Sequence, residues 1–245
     1  MSSLSVVIIT QNEERNILRC LESVKPVADQ IVVVDSGSTD ATAAIVRDFG
    51  ADFIHHPWEG YSQQKNFAES LATCDFILSI DADEALSDEL RKSISTLKRE
   101  GFEQGKVYQV KRLTNFCGEW IHHCGWYPDA KIRLYARGTS SWNGLVHETL
   151  VFNNNPQVVP LQGDLLHYSY YSVSDFLSRQ DHYSTLAAQK EKNKNVSITK
   201  LVFKPMWKFI RDYFFRLGFL DGKAGYIICR TNAYYTFMKY AKRGD

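Results

Sequence analysis

Three short β-branched runs in the first half of the chain end in side chains suited to a ligand rich in hydroxyls and phosphate. Leu4–Thr10 leads into Thr10-Gln11-Asn12-Glu13-Glu14, and Gln30–Asp35 into Asp35-Ser36-Gly37-Ser38-Thr39-Asp40. Phe76–Ile80 leads into Asp81-Ala82-Asp83-Glu84. A strand entering a sharp turn can aim Asp81 and Asp83 at one point beyond a sheet edge. Two hard oxygen donors beside open positions suit Mg²⁺ or Mn²⁺, which completes its shell with water and phosphate oxygens. An ion held there can bridge a diphosphate and stabilise a nucleotide leaving group. Asp35, at the end of its strand, can accept from a base N–H or a ribose hydroxyl. Each segment also has a plainer use. Asp81–Glu84 serves equally as a solvated acidic turn, and Asp35–Asp40 as an Asx turn with a helix cap. The convergence of three strand ends on one edge is what points to a ligand. No G-x-G-x-x-G follows a strand and no P-loop pattern occurs, so neither phosphate-cradling loop is available.

The elements that must position these residues alternate strand and helix. Ala51–His55 is a further strand candidate, and helical patterns cover Glu13–Val24, Asp40–Phe49, Ser62–Ala72 and Asp88–Glu100, the last with Ser87 as N-cap. Short connections between such elements predict a parallel, doubly wound α/β sheet with its ligand at the strand carboxyl ends. After Gly101 the pattern changes: Val107–Arg112 and Lys131–Tyr135 read as strands around an aromatic and His-rich stretch, 115–142. Helices are expected at about Val173–Lys192, Thr199–Leu217 and Ala224–Lys242, broken at Leu217-Gly218 and Asp221-Gly222.

With 245 residues, 44% apolar and 23% charged, the chain can bury a core, which excludes a disordered or collagen-like protein. The net charge of +1 gives no general attraction to nucleic acid, but it is unevenly spread. Residues 197–245 carry ten Lys and Arg against three Asp, leaving an acidic body with a basic tail. Within it, Phe203–Phe219 interleaves Lys204, Lys208, Arg211 and Arg216 with aromatic residues. That pattern fits an in-plane membrane helix, or a helix packed on the body with a solvated basic face. Five irregularly spaced cysteines suit a reducing compartment, and Cys117, His122, His123 and Cys124 match no ordinary structural zinc spacing. No signal-peptide pattern and no run of ~18 apolar residues is present, so a cytoplasmic protein is expected.

The opening S-V-V-I-I-T-x-N-E-E, then V-V-V-D-S-G-S-T-D, then D-A-D after a strand, resemble the family 2 glycosyltransferases of GT-A fold. Gln64-Lys65-Asn66-Phe67-Ala68, Asp81-Ala82-Asp83-Glu84, Trp142-Asn143-Gly144-Leu145-Val146-His147-Glu148 and Leu166-His167-Tyr168-Ser169-Tyr170 are similar to the subgroup containing the lipopolysaccharide-core β-1,4-glucosyltransferases. The resemblance implies a nucleotide-diphospho-sugar transferase fold with a mostly parallel central sheet and a helical C-terminal tail. It implies inverting, metal-dependent transfer of a hexose, most simply glucose, from a UDP-sugar, with Mn²⁺ or Mg²⁺ as cofactor. Residue by residue, it sets Thr10 and Glu13 on the nucleoside, Asp35 on the uracil and Lys65 on a donor phosphate. Asp81 would approach the ribose and diphosphate, and Asp83 would bind the metal directly. The expected division is a catalytic domain over 1–195, with a nucleotide-sugar half (1–100) and an acceptor half (101–195), followed by the tail, 196–245.

Inversion needs a base for the acceptor hydroxyl, opposite a leaving group departing through an oxocarbenium-like transition state. Glu148, at a subgroup motif in the acceptor-side half, is the first candidate, and Asp129 in Trp126-Tyr127-Pro128-Asp129 stays as the alternative because the chain lacks the Glu-Asp pair that marks the base in many family 2 enzymes. His147 and His167 are candidate metal ligands or diphosphate contacts, because imidazole suits Mn²⁺; ordinary hydrogen-bonded histidines are the plainer reading. The expected acceptor is a lipid-linked saccharide such as lipopolysaccharide core, met at the inner face of the cytoplasmic membrane through the tail, with no nucleic acid partner. Transfer to polyprenyl phosphate, which needs no base, remains an alternative, as does nucleotide-sugar binding without turnover. A nucleotidyltransferase would require a glycine-rich N-terminal loop that the sequence lacks.

Overall fold

The computed structural model describes residues 2–144, 148–190 and 196–244. The chain forms two compact units, one of residues 1–112 and 130–167, the other of 113–129 and 168–245. This grouping by contact differs from the expected boundary at 195/196, because Tyr168 onward joins residues 113–129 rather than the sheet-bearing unit.

The first unit opens with β1 (Leu4–Thr10), α1 (Ile17–Val24), β2 (Gln30–Asp35), α2 (Thr42–Phe49), β3 (Asp52–His55), α3 (Tyr61–Ser70) and β4 (Phe76–Asp81). There follow β5 (Glu84–Leu86), α4 (Asp88–Glu100) and β6 (Lys106–Phe116). Strands β1 to β4 lie in the order β3-β2-β1-β4 with all three neighbour pairs parallel. The parallel character ends there, since β8 (Asp129–Ala136) runs antiparallel to β4, and β11 (Gln157–Tyr170) antiparallel to β5. A separate antiparallel pair joins β9 (Ser140–Asn143) to β10 (Thr149–Phe152).

The β-branched runs form strands because both faces are covered. Val6, Ile8, Val33, Leu78 and Ile80 pack with Ile17, Leu21 and Val24 of α1, Val46 of α2, and Leu90 and Ile94 of α4. Their alternates Val7, Val32, Val34 and Ile77 pack with Ala68 and Ala72 on the other face. Period-two alternation thus puts three helices on one side and α3 on the other. Each fully buried aliphatic contributes roughly 1.5–3 kcal/mol. Helix α4 takes its expected bounds: the Ser87 hydroxyl accepts from Leu90 N, and acidic residues fill the first turn and basic residues the last.

Helix α1 starts four residues later than the apolar pattern suggests. The backbone N–H groups of Asn12, Glu13 and Glu14 are taken by Ser38 Oγ, Thr42 Oγ1 and Asp40 Oδ2, so the β1 and β2 end loops are laced together instead. Asn12 Oδ1 in turn accepts from Thr39 N.

The second unit contains β7 (Glu119–Ile121), paired with residues 114–116 of β6, then α5 (Val173–Gln189), α6 (Ile198–Ile210) and α7 (Gly222–Ala241). The expected single helix over Thr199–Leu217 is instead α6 followed by a π-helical turn, Arg211–Phe215, and a left-handed Leu217. Gly218 and Gly225 explain the break: a Cβ on Gly225 would lie 1.9 Å from Gly218 O, so the chain there meets backbone to backbone. Cys124 and Cys229, both buried, lie beside this contact, and His123 pairs with Asp221 at 2.8 Å. Among the described residues no helix is long and apolar enough to cross a membrane.

Candidate active site

The parallel register sets Thr10 beside Asp35, and Ile9 beside Asp81, at the carboxyl edge of the sheet. Thr10 is 5% exposed and its Oγ1 has no hydrogen-bond partner among the described residues. Such a buried hydroxyl is unusual, since most buried polar atoms are satisfied. Glu13 stands on the loop just beyond, its Oε2 accepting from Asn16 Nδ2 at 2.8 Å. Asp35 is buried and organises its own turn: Oδ2 accepts from Gly37 N and Ser38 N, both at 2.9 Å, and Oδ1 from the Ser38 hydroxyl. Gly37, at φ +95°, supplies a conformation few other residues adopt.

Helix α3 brings Lys65 to the same edge. Its Nζ, 3% exposed, lies 3.1 Å from Asp81 Oδ1 and 3.1 Å from Glu148 Oε1, and 4.5 Å from the centre of the Trp142 ring. One residue on, Asn66 exchanges two hydrogen bonds with the backbone of Trp142. Gln64, one residue earlier and wholly buried, donates to Ser36 Oγ at 2.8 Å and His56 O at 2.9 Å. The Gln-Lys-Asn run therefore ties the β2 end loop, the Asp81 carboxylate and β9 to one helix.

The acidic turn after β4 is divided by its partners. Asp81 Oδ2 lies 3.0 Å from Arg133, while Glu84, fully buried, takes Arg133 at 2.7 Å, Arg112 at 3.4 Å and Asp81 N at 3.0 Å. Burial pushes the Asp81 carboxyl up, but Lys65 and Arg133 outweigh it by charge and hydrogen bonds and hold it far below the usual carboxylate range. Burial likewise opposes the charged form of Arg133, and Glu84 and Asp81 overcome it, so the guanidinium pKa is raised. The Cys20 thiol behind them is pushed well up by burial, with Glu84, Asp83 and Asp81 adding to it.

Asp83 points elsewhere. Strand β11 pairs with β5 so that His167 stands opposite Glu84, and His167 Nε2 lies 3.2 Å from Asp83 Oδ2. Both side chains are partly open, 14% and 21% exposed. A carboxylate and an imidazole converging at a half-open edge form a donor set that fits Mn²⁺, with remaining positions for water or substrate oxygens. Asp81 fits a metal less well, because both its oxygens face cations. Among the described residues no group of three or more potential ligands is assembled by protein side chains alone. His147 lies outside the described residues. Asp129, the alternative base, opens β8 and belongs to the second unit.

Two laced strand-end loops, a D-x-D turn split between cations and an imidazole, and a buried lysine spanning two carboxylates thus lie at the carboxyl edge of the sheet. Residues 5–149 match the family model described as "Glycosyl transferase family 2". The chain belongs to glycosyl transferase family 2. Its sheet and flanking helices are those of the GT-A class, with a C-terminal helix.

Two full-length relatives place it further among glycosyltransferases. An uncharacterized glycosyltransferase of Rickettsia typhi is 34% identical over 253 residues, covering 99% of this chain and 87% of its own. The lipopolysaccharide core biosynthesis glycosyltransferase LpsC of Rhizobium meliloti is 34% identical over 253 residues, covering 98% and 91%. Among solved structures, glucosyl-3-phosphoglycerate synthase from Mycobacterium tuberculosis overlaps 46% of this chain and 44% of its own, at 23% identity and a TM-score of 0.38.

Sequence reasoning passed over Arg133 as a site residue of this glycosyltransferase. Its signal was indirect: Asp81, Asp83 and Glu84 crowd three negative charges into four residues, which demands buried cations nearby. The Cys117–Cys124 group has other roles, with Cys117 exposed, Cys124 buried in the second unit's core, and His123 held by Asp221. Trp126 packs against Phe116, Tyr170 and Phe176, as core aromatics do.

Proposed function

We propose that this glycosyltransferase moves a hexose, glucose, from a UDP-sugar to a hydroxyl of a glycolipid of the lipopolysaccharide-core type, with inversion, at the inner face of the cytoplasmic membrane. The observation that supports the donor site most directly is Thr10 Oγ1, buried and without a hydrogen-bond partner among the described residues, at a strand end beside Asp35 and next to the end that carries Asp81. Asp81, at the neighbouring strand end, is held by Lys65 and Arg133 and would accept from a ribose hydroxyl on its remaining lone pairs. Thr10 and Glu13 then flank the nucleoside, with Asp35 and its turn behind the base. The acceptor class is supported by the name of the Rhizobium meliloti relative.

Asp83 and His167 are the residues that would hold Mn²⁺ or Mg²⁺, and the ion when bound would neutralise charge on the leaving diphosphate. The chain's own groups do the rest. Lys65 fixes the carboxylates of Asp81 and Glu148 at a common distance from one charge, 3.1 Å. Glu148, so positioned, is the carboxylate that would take the acceptor proton. Trp142, under the lysine and pinned by Asn66, limits where Lys65 can move.

The test is UDP release from a panel of UDP- and GDP-sugars with Mn²⁺, Mg²⁺ or EDTA and no acceptor, beside calorimetry with UDP and Mn²⁺. Metal-dependent hydrolysis of UDP-glucose, lost in Asp83→Ala and weakened in His167→Ala, is expected. Failure of UDP to bind in the presence of Mn²⁺ would overturn the donor reading.

A further inference from the structure

In the second unit, the outward surface of residues 198–220 is apolar where a solvated helix would be polar. Helix α6 buries none of its side chains completely. Ile198, Val202, Met206, Trp207, Phe214 and Phe215 all stand in solvent, Ile198 at 79%, Trp207 at 53% and Phe215 at 70% exposure. Positions 198, 202 and 206 follow one another at single-turn spacing, so they form one stripe. The π-helical turn carries the stripe on into Phe214 and Phe215, and exposed Leu217 and Leu220 extend it. Single exposed hydrophobics are ordinary; a contiguous group of this size marks an interaction surface.

The charges around it are sorted by sign. Between residues 196 and 223 the acidic residues are Asp212 and Asp221, and both are turned inward. Asp212 is fully buried, with Lys208 at 2.7 Å, Arg211 at 2.9 Å and Arg216 at 3.7 Å. The Asp221 carboxylate, 5% exposed, holds the backbone and ring of His123. Lys200, Lys204 and Lys223 are exposed at the margins. Among the described residues of 196–223, the face therefore shows solvent apolar side chains and positive charge, with no carboxylate turned outward.

We infer that this face docks on an anionic phospholipid bilayer, with α6 in the plane of the headgroups. The aromatic and aliphatic stripe enters the headgroup–acyl boundary, and Lys200, Lys204 and Lys223 meet lipid phosphates at the rim. A second copy of the chain fits less well, because its matching face would bring lysines against lysines with no acid between them. The inference deepens the reading of a membrane-borne acceptor, yet it rests on none of the transfer chemistry.

The test uses the full chain with vesicles of phosphatidylcholine alone and of phosphatidylcholine with about 30% phosphatidylglycerol. Sedimentation with the anionic vesicles is expected, falling about tenfold when salt rises from ~0.05 to ~0.5 M. The double variant Trp207→Ser/Phe215→Ser should lose about tenfold or more of that binding with unchanged circular dichroism. Lys204→Glu should weaken binding to anionic vesicles and flatten its salt dependence. Wild-type protein left in the supernatant, or equal binding by the double variant, would overturn the inference. So would a wild-type dimer, seen by sedimentation equilibrium, that the double variant dissolves. UDP binding is measured on the same samples, so loss of the donor reading with vesicle binding intact is told apart from the reverse.

Discussion

Arg133 reaches Glu84 at 2.7 Å with both side chains withdrawn from solvent, 4% and 0% exposed. Glu84 in turn receives the backbone N–H of Asp81, so one buried ion pair sets the shape of the turn that presents Asp81 and Asp83. A buried pair is weak evidence for net stability, but removing one partner strands the other charge. Arg133→Met should therefore destabilise the first unit by about 3–5 kcal/mol, while Glu84→Gln, which keeps a hydrogen-bond acceptor, should cost less. Urea unfolding followed by circular dichroism checks this. A cost below about 1 kcal/mol for Arg133→Met would mean that water already relieves the charge.

Asp81 makes the same network sensitive to acid. Its carboxyl titrates far below its ordinary value of 3.8, so the folded state binds its proton more weakly than the unfolded chain does. A depressed pKa contributes stability that is complete above the unfolded value and is lost as pH falls toward the folded one. The loss should thus begin below about pH 4 and deepen with further acidification. Asp81→Asn should show a shallower fall in unfolding free energy between about pH 5 and pH 3 than the parent. Parallel slopes for the two proteins would show that other carboxylates govern acid unfolding.

Glu148 and Asp129 divide the base question cleanly. Glu148→Gln should leave UDP and metal binding intact and slow transfer by a factor of ~10² or more, the scale of a lost general base. Asp129→Asn should leave the rate within a few-fold. The pH dependence of transfer, not only its size, is the readout, since losing the base removes the acid limb of the profile. A large rate loss in Asp129→Asn with Glu148→Gln nearly normal would reverse the assignment and leave the family unaffected. Normal transfer by the double variant would point to an acceptor that is already an anion.

How much could be read in advance followed from how local each signal was. Strands β1, β2 and β4 announce themselves because burial on both faces demands unbroken β-branched runs, and Ser87 marks α4 through its own side chain. The pairing of β5 with β11 leaves no such mark. It joins a three-residue strand to one some eighty residues later, yet it alone brings His167 to Asp83. Lys65 could be singled out from its motif, but its position between two carboxylates depends on the fold. In the tail, interleaved charge and aromatics were plain. The burial of Asp212, which draws Lys208, Arg211 and Arg216 away from a free basic stripe, was not.

The contact of Gly218 with Gly225 gives the second unit a point that cannot yield. A Cβ on Gly225 would sit 1.9 Å from Gly218 O and 3.0 Å from the Cβ of Asp221, so relief requires movement of backbone, not of a flexible side chain. Gly222 nearby has nothing within 4 Å of its missing Cβ, and only its φ of +57° is unfavourable to other residues. Gly225→Ala should thus cost the second unit at least about 1–3 kcal/mol, the range for overpacking a filled site. Gly222→Ala should cost about 1–2 kcal/mol, from backbone strain alone at φ +57° and ψ −133°, a conformation that glycine tolerates and residues with a side chain rarely adopt. Chemical denaturation of both variants, with near-ultraviolet circular dichroism reporting on the aromatic packing around Phe116 and Phe176, measures the difference. If Gly225→Ala proves as mild as Gly222→Ala, the α7 start and the 218–221 turn can separate without loss, and the close approach is incidental to stability.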